Sequence, residues 1–160
     1  MATRSTIGMR TPEGRIVAIY CHWDGYPEHN GEILLRHYTS TDKISELIQL
    51  GSLSSLRENI GEKHDFNARY EEDDLRKNWV VAYHRDRGED LEIRMFNDVA
   101  DWIENFGMWV EYYYLWNGKE WLVNANGNKH YDTDFPIFDF IDIAQRSDVM
   151  KQMGWAEEAA

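Results

Sequence analysis

Apolar and polar positions along the chain predict a succession of short elements. Residues 6–9 lead into Thr11-Pro12-Glu13-Gly14, where proline suits the second turn position and glycine accepts a positive φ. A hairpin is therefore predicted. Its return strand, residues 16–21, is apolar at every position, the pattern of a central strand covered on both faces. Trp23-Asp24-Gly25-Tyr26-Pro27 reads as a loop. Pro27 then opens a helix to about Tyr38 with Ile33, Leu34 and His37 on one side. Thr39, with Asp42 three residues on, caps a second helix in which Ile44, Leu47 and Ile48 recur at helical spacing and Gly51 ends the element.

Residues 61–78 are charged and poor in apolar side chains, so they read as a long mobile charged loop. Residues 79–83 predict a strand, followed by the charged turn His84-Arg85-Asp86-Arg87-Gly88-Glu89. Leu91, Ile93 and Met95 alternate with charges, as in a half-buried strand. Asn97 caps a helix with Val99, Trp102, Ile103 and Phe106 on one face, closed by Gly107. The strongest local signal is 109–123, where Asn117-Gly118 between apolar runs predicts a tight hairpin. That turn sets Trp116 opposite Lys119, Tyr114 opposite Trp121 and Tyr112 opposite Val123. Val110, Tyr112, Tyr114, Trp116, Trp121 and Val123 then share the core face, with Glu111, Tyr113, Leu115, Glu120 and Leu122 on the other. After Pro136 a last helix carries Phe140, Ile141, Ala144, Val149 and Met153, and Gly154 stops it. The order predicts an α+β fold: a single globular domain over 1–160, with a mainly antiparallel sheet, two or more hairpins, and three to four helices packed against it.

Charge narrows the function classes. Seventeen Lys and Arg stand against 29 Asp and Glu, a net charge of −12. This argues against direct binding of a nucleic-acid backbone or an anionic membrane surface. The excess is regional: residues 1–40 are neutral, and 41–77, 78–107 and 108–160 carry −3, −4 and −5. Six residues is the longest unbroken apolar run, and the first residues carry no apolar signal-type stretch. With one cysteine, Cys21, there is no internal disulfide or multi-cysteine zinc cage. A cytoplasmic protein is expected.

Four groups of residues carry candidate chemistry. The first is the loop 21–29. His22, Asp24 and His29 form a two-histidine, one-carboxylate set, and Cys21 beside a histidine is a potential thiolate nucleophile. The bland alternative is a buried cysteine in a structural loop; no metal site and no cofactor are assigned. The second is the turn 84–89. His84, Arg85 and Arg87, joined by Tyr26, suit a phosphate or carboxylate ligand, unless Asp86 and Glu89 neutralise the arginines internally. The third is acidic: Glu71, Glu72, Asp73 and Asp74, with Asp98 and Asp101 further on, are candidate contacts for a basic partner. Neither 71–74 nor Asp132-x-Asp134 fits a calcium loop. The fourth is the aromatic hairpin, which reads as core packing. Phosphate-loop, dinucleotide, zinc-protease and C-x-x-C motifs are missing, which leans away from an enzyme.

Residues 18–31 (Ala18-Ile19-Tyr20-Cys21-His22-Trp23-Asp24-Gly25-Tyr26-Pro27-Glu28-His29-Asn30-Gly31), Leu50-Gly51-Ser52-Leu53-Ser54-Ser55-Leu56 and His84-Arg85-Asp86-Arg87-Gly88-Glu89 resemble segments shared by a family of small phage and prophage accessory proteins. The resemblance assigns no catalytic residue. It implies an accessory protein acting in a bacterial host cytoplasm, of the kind that binds and blocks host machinery. Three functions follow as expectations. The first is an acidic inhibitor of a host protein with a basic surface, in particular an anti-defence factor acting partly by DNA mimicry. The second is a protein or enzyme that binds a nucleotide-like small molecule, using the 21–29 loop and the Arg85/Arg87 turn. The third is a subunit active as an oligomer.

Overall fold

The structure, a computed structural model, describes residues 2–125 and the backbone of the strands Tyr131–Asp132 and Phe135–Pro136. The helix expected after Pro136 lies outside the described residues, and the side chains of Asp132 and Asp134 lie outside the described side chains. In chain order the elements are β1 (Ser5–Arg10), β2 (Ile16–Cys21), a π-helical turn (Pro27–Gly31) running into α1 (Glu32–His37), α2 (Thr41–Ile48) and β3 (Leu53–Ser55). A 3-10 turn (Leu75–Asn78) leads to β4 (Val81–Ala82), α3 (Tyr83–Arg87), β5 (Arg94–Phe96), α4 (Val99–Asn105), β6 (Tyr112–Trp116), β7 (Trp121–Ala125), β8 (Tyr131–Asp132) and β9 (Phe135–Pro136). The fold is α+β, as the element order predicts.

The main sheet runs β4-β3-β2-β1-β6-β7, and β5 pairs with β2 beside that path. The pairings β1–β2, β2–β5, β3–β4 and β6–β7 are antiparallel, and β1–β6 and β2–β3 are parallel. The first hairpin closes as its sequence dictates: the Thr11 amide donates to the Arg15 carbonyl (2.8 Å), and Gly14 donates back to Thr11 (2.9 Å). β2 shares one edge between two partners, β5 at residues 16–18 and β3 at Cys21.

Both faces of this sheet are buried. On one face Ile7, Ile19, Cys21, Tyr114, Trp116, Trp121 and Val123 pack with Leu34 and Tyr38 of the first helical segment and Ile44, Leu47 and Ile48 of α2. On the other, Ile16, Ala18, Tyr20, Tyr113, Leu115 and Leu122 pack with Phe96 and with Val99, Trp102, Ile103 and Phe106 of the α4 segment. The polar edges of the large rings are satisfied as they are buried. Trp116 Nε1 donates to Thr41 Oγ1 (3.0 Å), and Trp121 Nε1 donates to the Tyr38 carbonyl (2.9 Å). Trp102 Nε1 donates to Thr6 Oγ1 (3.2 Å), whose hydroxyl in turn donates to the Ile19 carbonyl (2.8 Å). Trp102 sits so close to β1 that a Cβ at Gly8 would come within 3.0 Å of its ring.

Several expectations are corrected in detail. Ser40 rather than Thr39 caps α2, accepting from the Lys43 amide (3.3 Å). Asp98 rather than Asn97 caps α4, accepting from the Asp101 amide (2.8 Å). His37 is exposed, and Tyr38, one helical turn after Leu34, holds the buried position instead. The second hairpin pairs Trp116 with Trp121 and Tyr114 with Val123 around a four-residue turn. Asn117 Oδ1 accepts from the amides of Lys119 (2.9 Å) and Glu120 (2.8 Å), which favours this longer turn over a two-residue one. The slip keeps residues 112–116 and 121–123 on their predicted faces, but Val110, which precedes the strand, packs on the α4 side instead. Tyr113, Leu115 and Leu122 nonetheless meet the second core rather than water, because α4 covers that side.

The strand at 79–83 shrinks to Val81–Ala82, and the charged turn winds into α3. The strand expected from Leu91 begins only at Arg94, where pairing with β2 starts. Phe96 is its buried residue, while Leu91, Ile93 and Met95 are exposed. Arg94 spends its guanidinium on the carbonyls of Phe106 and Asn105, capping the C-terminal end of α4.

Trp102 is fully buried, stands edge-on to Tyr113 at 5.4 Å between ring centroids, and bridges α4 to β1 and β6. Trp102→Ala is expected to cost about 3–5 kcal/mol of unfolding free energy, read from denaturant midpoints at unchanged m-value. Leu91→Ser, by contrast, is expected to change stability by less than about 0.5 kcal/mol, as for an exposed site.

Candidate functional site

Residues 18–31, 50–56 and 84–89 come from separate parts of the chain and meet in space. The end of β2 lies beside β3, with Cys21 opposite Leu53, and Leu53 faces Ala82 at the start of α3. The pairing runs past β2: the amides of His22 and Trp23 donate to the carbonyls of Leu53 and Ser54, both at 3.0 Å.

Beyond β2 the chain folds tightly over β1. Gly25 donates its amide to the Thr3 carbonyl (2.8 Å), and its own carbonyl accepts from the Tyr114 hydroxyl (2.7 Å). A Cβ at Gly25 would fall 2.7 Å from Ser5 Cβ and 2.8 Å from the Thr3 carbonyl oxygen, so the loop admits only glycine there. The π-helical turn after Pro27 carries Asn30 inward, where it is fully buried. Asn30 Nδ2 reaches Ser5 Oγ, Cys21 Sγ and the Trp23 carbonyl, each at 3.4 Å, and its Oδ1 meets His29 Nδ1 at 2.9 Å.

This network fixes the chemistry of the first candidate group. Burial pushes the Cys21 thiol up from 9 to about 11, against smaller opposing effects of hydrogen bonds from Asn30 and others. A thiol buried in this way is not a ready nucleophile. His22 Nδ1 bonds to the Tyr20 hydroxyl (2.8 Å), and its pKa is lowered, first by burial and then by Arg4. Asp24, at φ 55°, is exposed and lies close enough to the exposed Tyr26 to raise its phenol pKa. Among the described residues no three His, Cys, Asp or Glu side chains gather as a metal set, so His22, Asp24 and His29 are not brought together as ligands.

The second group closes on itself. Arg85 holds the Asp86 carboxylate through Nε (3.0 Å) and Nη2 (3.2 Å), and its remaining donors reach the carbonyls of Ile60 (2.8 Å) and Val80 (2.6 Å). Asp86 is buried and also accepts from the amides of Ala82 (2.8 Å) and His64 (3.1 Å). His64, which the sequence did not single out, stacks edge-on with Trp79. The Val80 carbonyl can only accept, so His64 Nε2 donates to it at 3.0 Å, and Nδ1 lies 2.8 Å from the Tyr70 hydroxyl. Residues 61–78 thus carry no regular element apart from the turn at 75–78, and His64 bonds them to Asp86, Val80 and Tyr70. Arg87 pairs with Glu89 and lies over the rings of Phe66 (4.2 Å) and Tyr83 (5.0 Å). His84 Nδ1 donates to the Glu89 carbonyl (2.7 Å). Self-neutralisation is the arrangement found.

The acidic candidates divide. Glu71, Glu72 and Asp73 are exposed, with Glu72 paired to Lys77. Asp74 caps the 3-10 turn and is held down to about 2, chiefly by the Arg76 guanidinium. Asp98 caps α4, and Asp101 accepts from the Asn97 amide and the Asn105 side chain, which lower its pKa. An open pocket of about 500 Å³ lies beside the convergence of β2, β3 and α3, lined by Tyr20, Ser52, Tyr83, Gly88, Glu89, Asp90, Glu92 and Met108. Arg85 and Arg87 are not among its walls. No sequence motif marks this pocket, because its residues come from four separate stretches of chain. Among the described residues no helix is long and apolar enough to cross a membrane.

Two measurements follow. Asp86→Ala strands Arg85 and frees residues 61–78. It is expected to cost about 3–5 kcal/mol and to speed tryptic cleavage after Lys63 and Arg69. Cys21 is expected to resist thiol reagents at pH 8 until the chain unfolds. Its folded pKa is raised, so its contribution to stability is fully present below about pH 9 and lost as pH rises through about 11. The difference in alkaline unfolding between the wild type and Cys21→Ala reads this directly. No family model, curated protein or solved structure matches the chain.

Proposed function

We propose that this chain is a non-catalytic, phage-type accessory protein that binds a host protein with a basic surface and blocks it, in the manner of an anti-defence factor with partial DNA mimicry. One observation carries the reading: the side chains able to do chemistry are consumed in holding the fold, while carboxylates and large apolar side chains are left on the surface. Cys21 is buried, and His22, His29, Arg85 and Arg87 bond to neighbours within the chain. Against this, Glu71, Glu72, Asp73, Asp90 and Glu92 are exposed, and so are Leu91, Ile93, Met95 and Trp109.

Exposed charge of one sign steers and orients a partner of the other sign, and apolar anchors within it supply most of the affinity. A net charge of −12 makes a basic partner the electrostatic match. DNA-binding proteins present such surfaces, and competing for them needs carboxylates where phosphates would lie. The likeness of three segments to phage and prophage accessory proteins supports the same reading.

The test is titration of the full chain against purified basic DNA-binding proteins of a bacterial host, with and without competing duplex DNA. Binding is expected to exclude DNA and to weaken at least about tenfold between about 50 and 200 mM salt. Affinity unchanged by salt would sink the mimicry. Simultaneous binding of DNA and this chain would sink the block.

A further inference from the structure

The pocket beside Tyr20 has a composition that restricts its occupant. Two phenol rings and the Met108 thioether give it an apolar wall, and Ser52 adds a small polar surface. Three carboxylates complete it. Glu89 is neutralised by Arg87, but Asp90 and Glu92 are exposed and have no ion-pair partner among the described residues. An anionic ligand such as a phosphate would be repelled by Asp90 and Glu92, with Arg4 and Arg87 at the rim bonded to the Met108 carbonyl and to Glu89. A planar cation would meet aromatic faces and free carboxylates together, which is the environment an arginine side chain favours. The chain makes the same combination beside the pocket, where Arg87 lies against Tyr83 and Phe66 while pairing with Glu89.

The surroundings of the pocket point to a protein rather than a free small molecule. Leu91 and Ile93 flank Glu92 and are 49% and 38% exposed. Met108, also part of the lining, leads to Trp109, which is 83% exposed. Both residues have positive φ, 61° and 54°. Two consecutive non-glycine residues in the left-handed region are a backbone cost of the kind that collects at functional corners. Arg4 steadies this corner, with its guanidinium 5.6 Å from the Trp109 ring. The same corner leaves a large indole exposed to water, and tryptophan is enriched among the residues that anchor protein interfaces.

We propose that this pocket receives an arginine side chain of the basic protein partner, with Asp90 and Glu92 pairing its guanidinium and Leu91, Ile93, Met108 and Trp109 forming the apolar contact around it. The assignment rests on the proposed function and adds the place and the chemistry of recognition. It moves the centre of the interface from the 71–74 run to residues 88–93 and 108–109.

The test uses the full chain labelled with 15N. It is titrated with the peptide acetyl-Gly-Gly-Arg-Gly-Gly-amide and with the same peptide carrying citrulline, the neutral isostere of arginine. The arginine peptide is expected to give saturable shifts at the amides of Ser52, Tyr83, Met108 and residues 88–92, and the citrulline peptide is not. Asp90→Asn with Glu92→Gln, both exposed changes that spare the core, should weaken the arginine peptide at least about fivefold. Trp109→Ala should weaken a whole basic protein at least about fivefold. Equal shifts with citrulline, shifts confined to 71–74, or binding indifferent to the double variant would overturn the pocket assignment. A basic protein that binds the double variant and the wild type alike, with full salt sensitivity, would also remove the pocket while leaving the proposed function standing. If no basic protein binds the wild type, the proposed function itself falls, and the partner assignment falls with it.

Discussion

Burial of both faces of the β1–β2–β6–β7 sheet is the constraint on which the rest of the structure depends. A strand covered on both sides has no solvent face on which to leave a polar group unpaired. Thr6 therefore bonds to both Ile19 and Trp102, and Trp116 and Trp121 bond to Thr41 and Tyr38. Each of these contacts joins the sheet to a helix or to the next strand. The indole and hydroxyl groups thus fix how α1, α2 and α4 lie on the sheet, beyond what apolar packing alone would specify.

The same constraint explains the fate of the candidate chemistry. Where β2 leaves the sheet, the chain must cross the buried ends of β1 and β6, and its backbone has to approach them closely. Gly25 permits the approach, and Asn30 satisfies Ser5, Cys21 and the Trp23 carbonyl from within. Asp86 plays the corresponding part under the long loop, holding the amides of Ala82 and His64 and the Arg85 guanidinium. Asn30 and Asp86 thus direct their hydrogen bonds to the backbone and side chains around them. Carboxylates and large apolar side chains remain exposed in several places, and Glu89, Asp90, Glu92 and Met108 among them line one pocket.

Much of the fold was legible because its signals are short-range. The Thr11-Pro12-Glu13-Gly14 turn, the apolar run of β2, and the helical spacing of Ile44, Leu47 and Ile48 each declare their element within a few residues. Face assignment in the second hairpin survived a wrong turn length because strand side chains alternate with period two and the slip was even. The helix caps were each misread by one residue, since Thr39 and Ser40, or Asn97 and Asp98, offer the same acceptor in adjacent positions. The alternation at Leu91, Ile93 and Met95 misled because period-two spacing shows that a segment has two faces, not that one of them is covered.

The sequence by itself determined the α+β class, the first hairpin, the helices at 32–37, 41–48 and 99–105, the faces of the second hairpin's strand residues, and the acidic excess over 41–160, but not β3, α3, β8 or β9. These depend on local geometry and on composition, which a chain carries before it folds. Tertiary structure decided that Cys21, His29, Arg85 and Asp86 serve the fold, that Asn30 and His64 matter, and that Tyr20, Tyr83, Asp90, Glu92 and Met108 share a pocket. Those outcomes depend on partners far apart in the chain, such as Asp86 with His64 and Tyr114 with Gly25. Only packing brings such groups within the three or so ångströms over which a hydrogen bond acts.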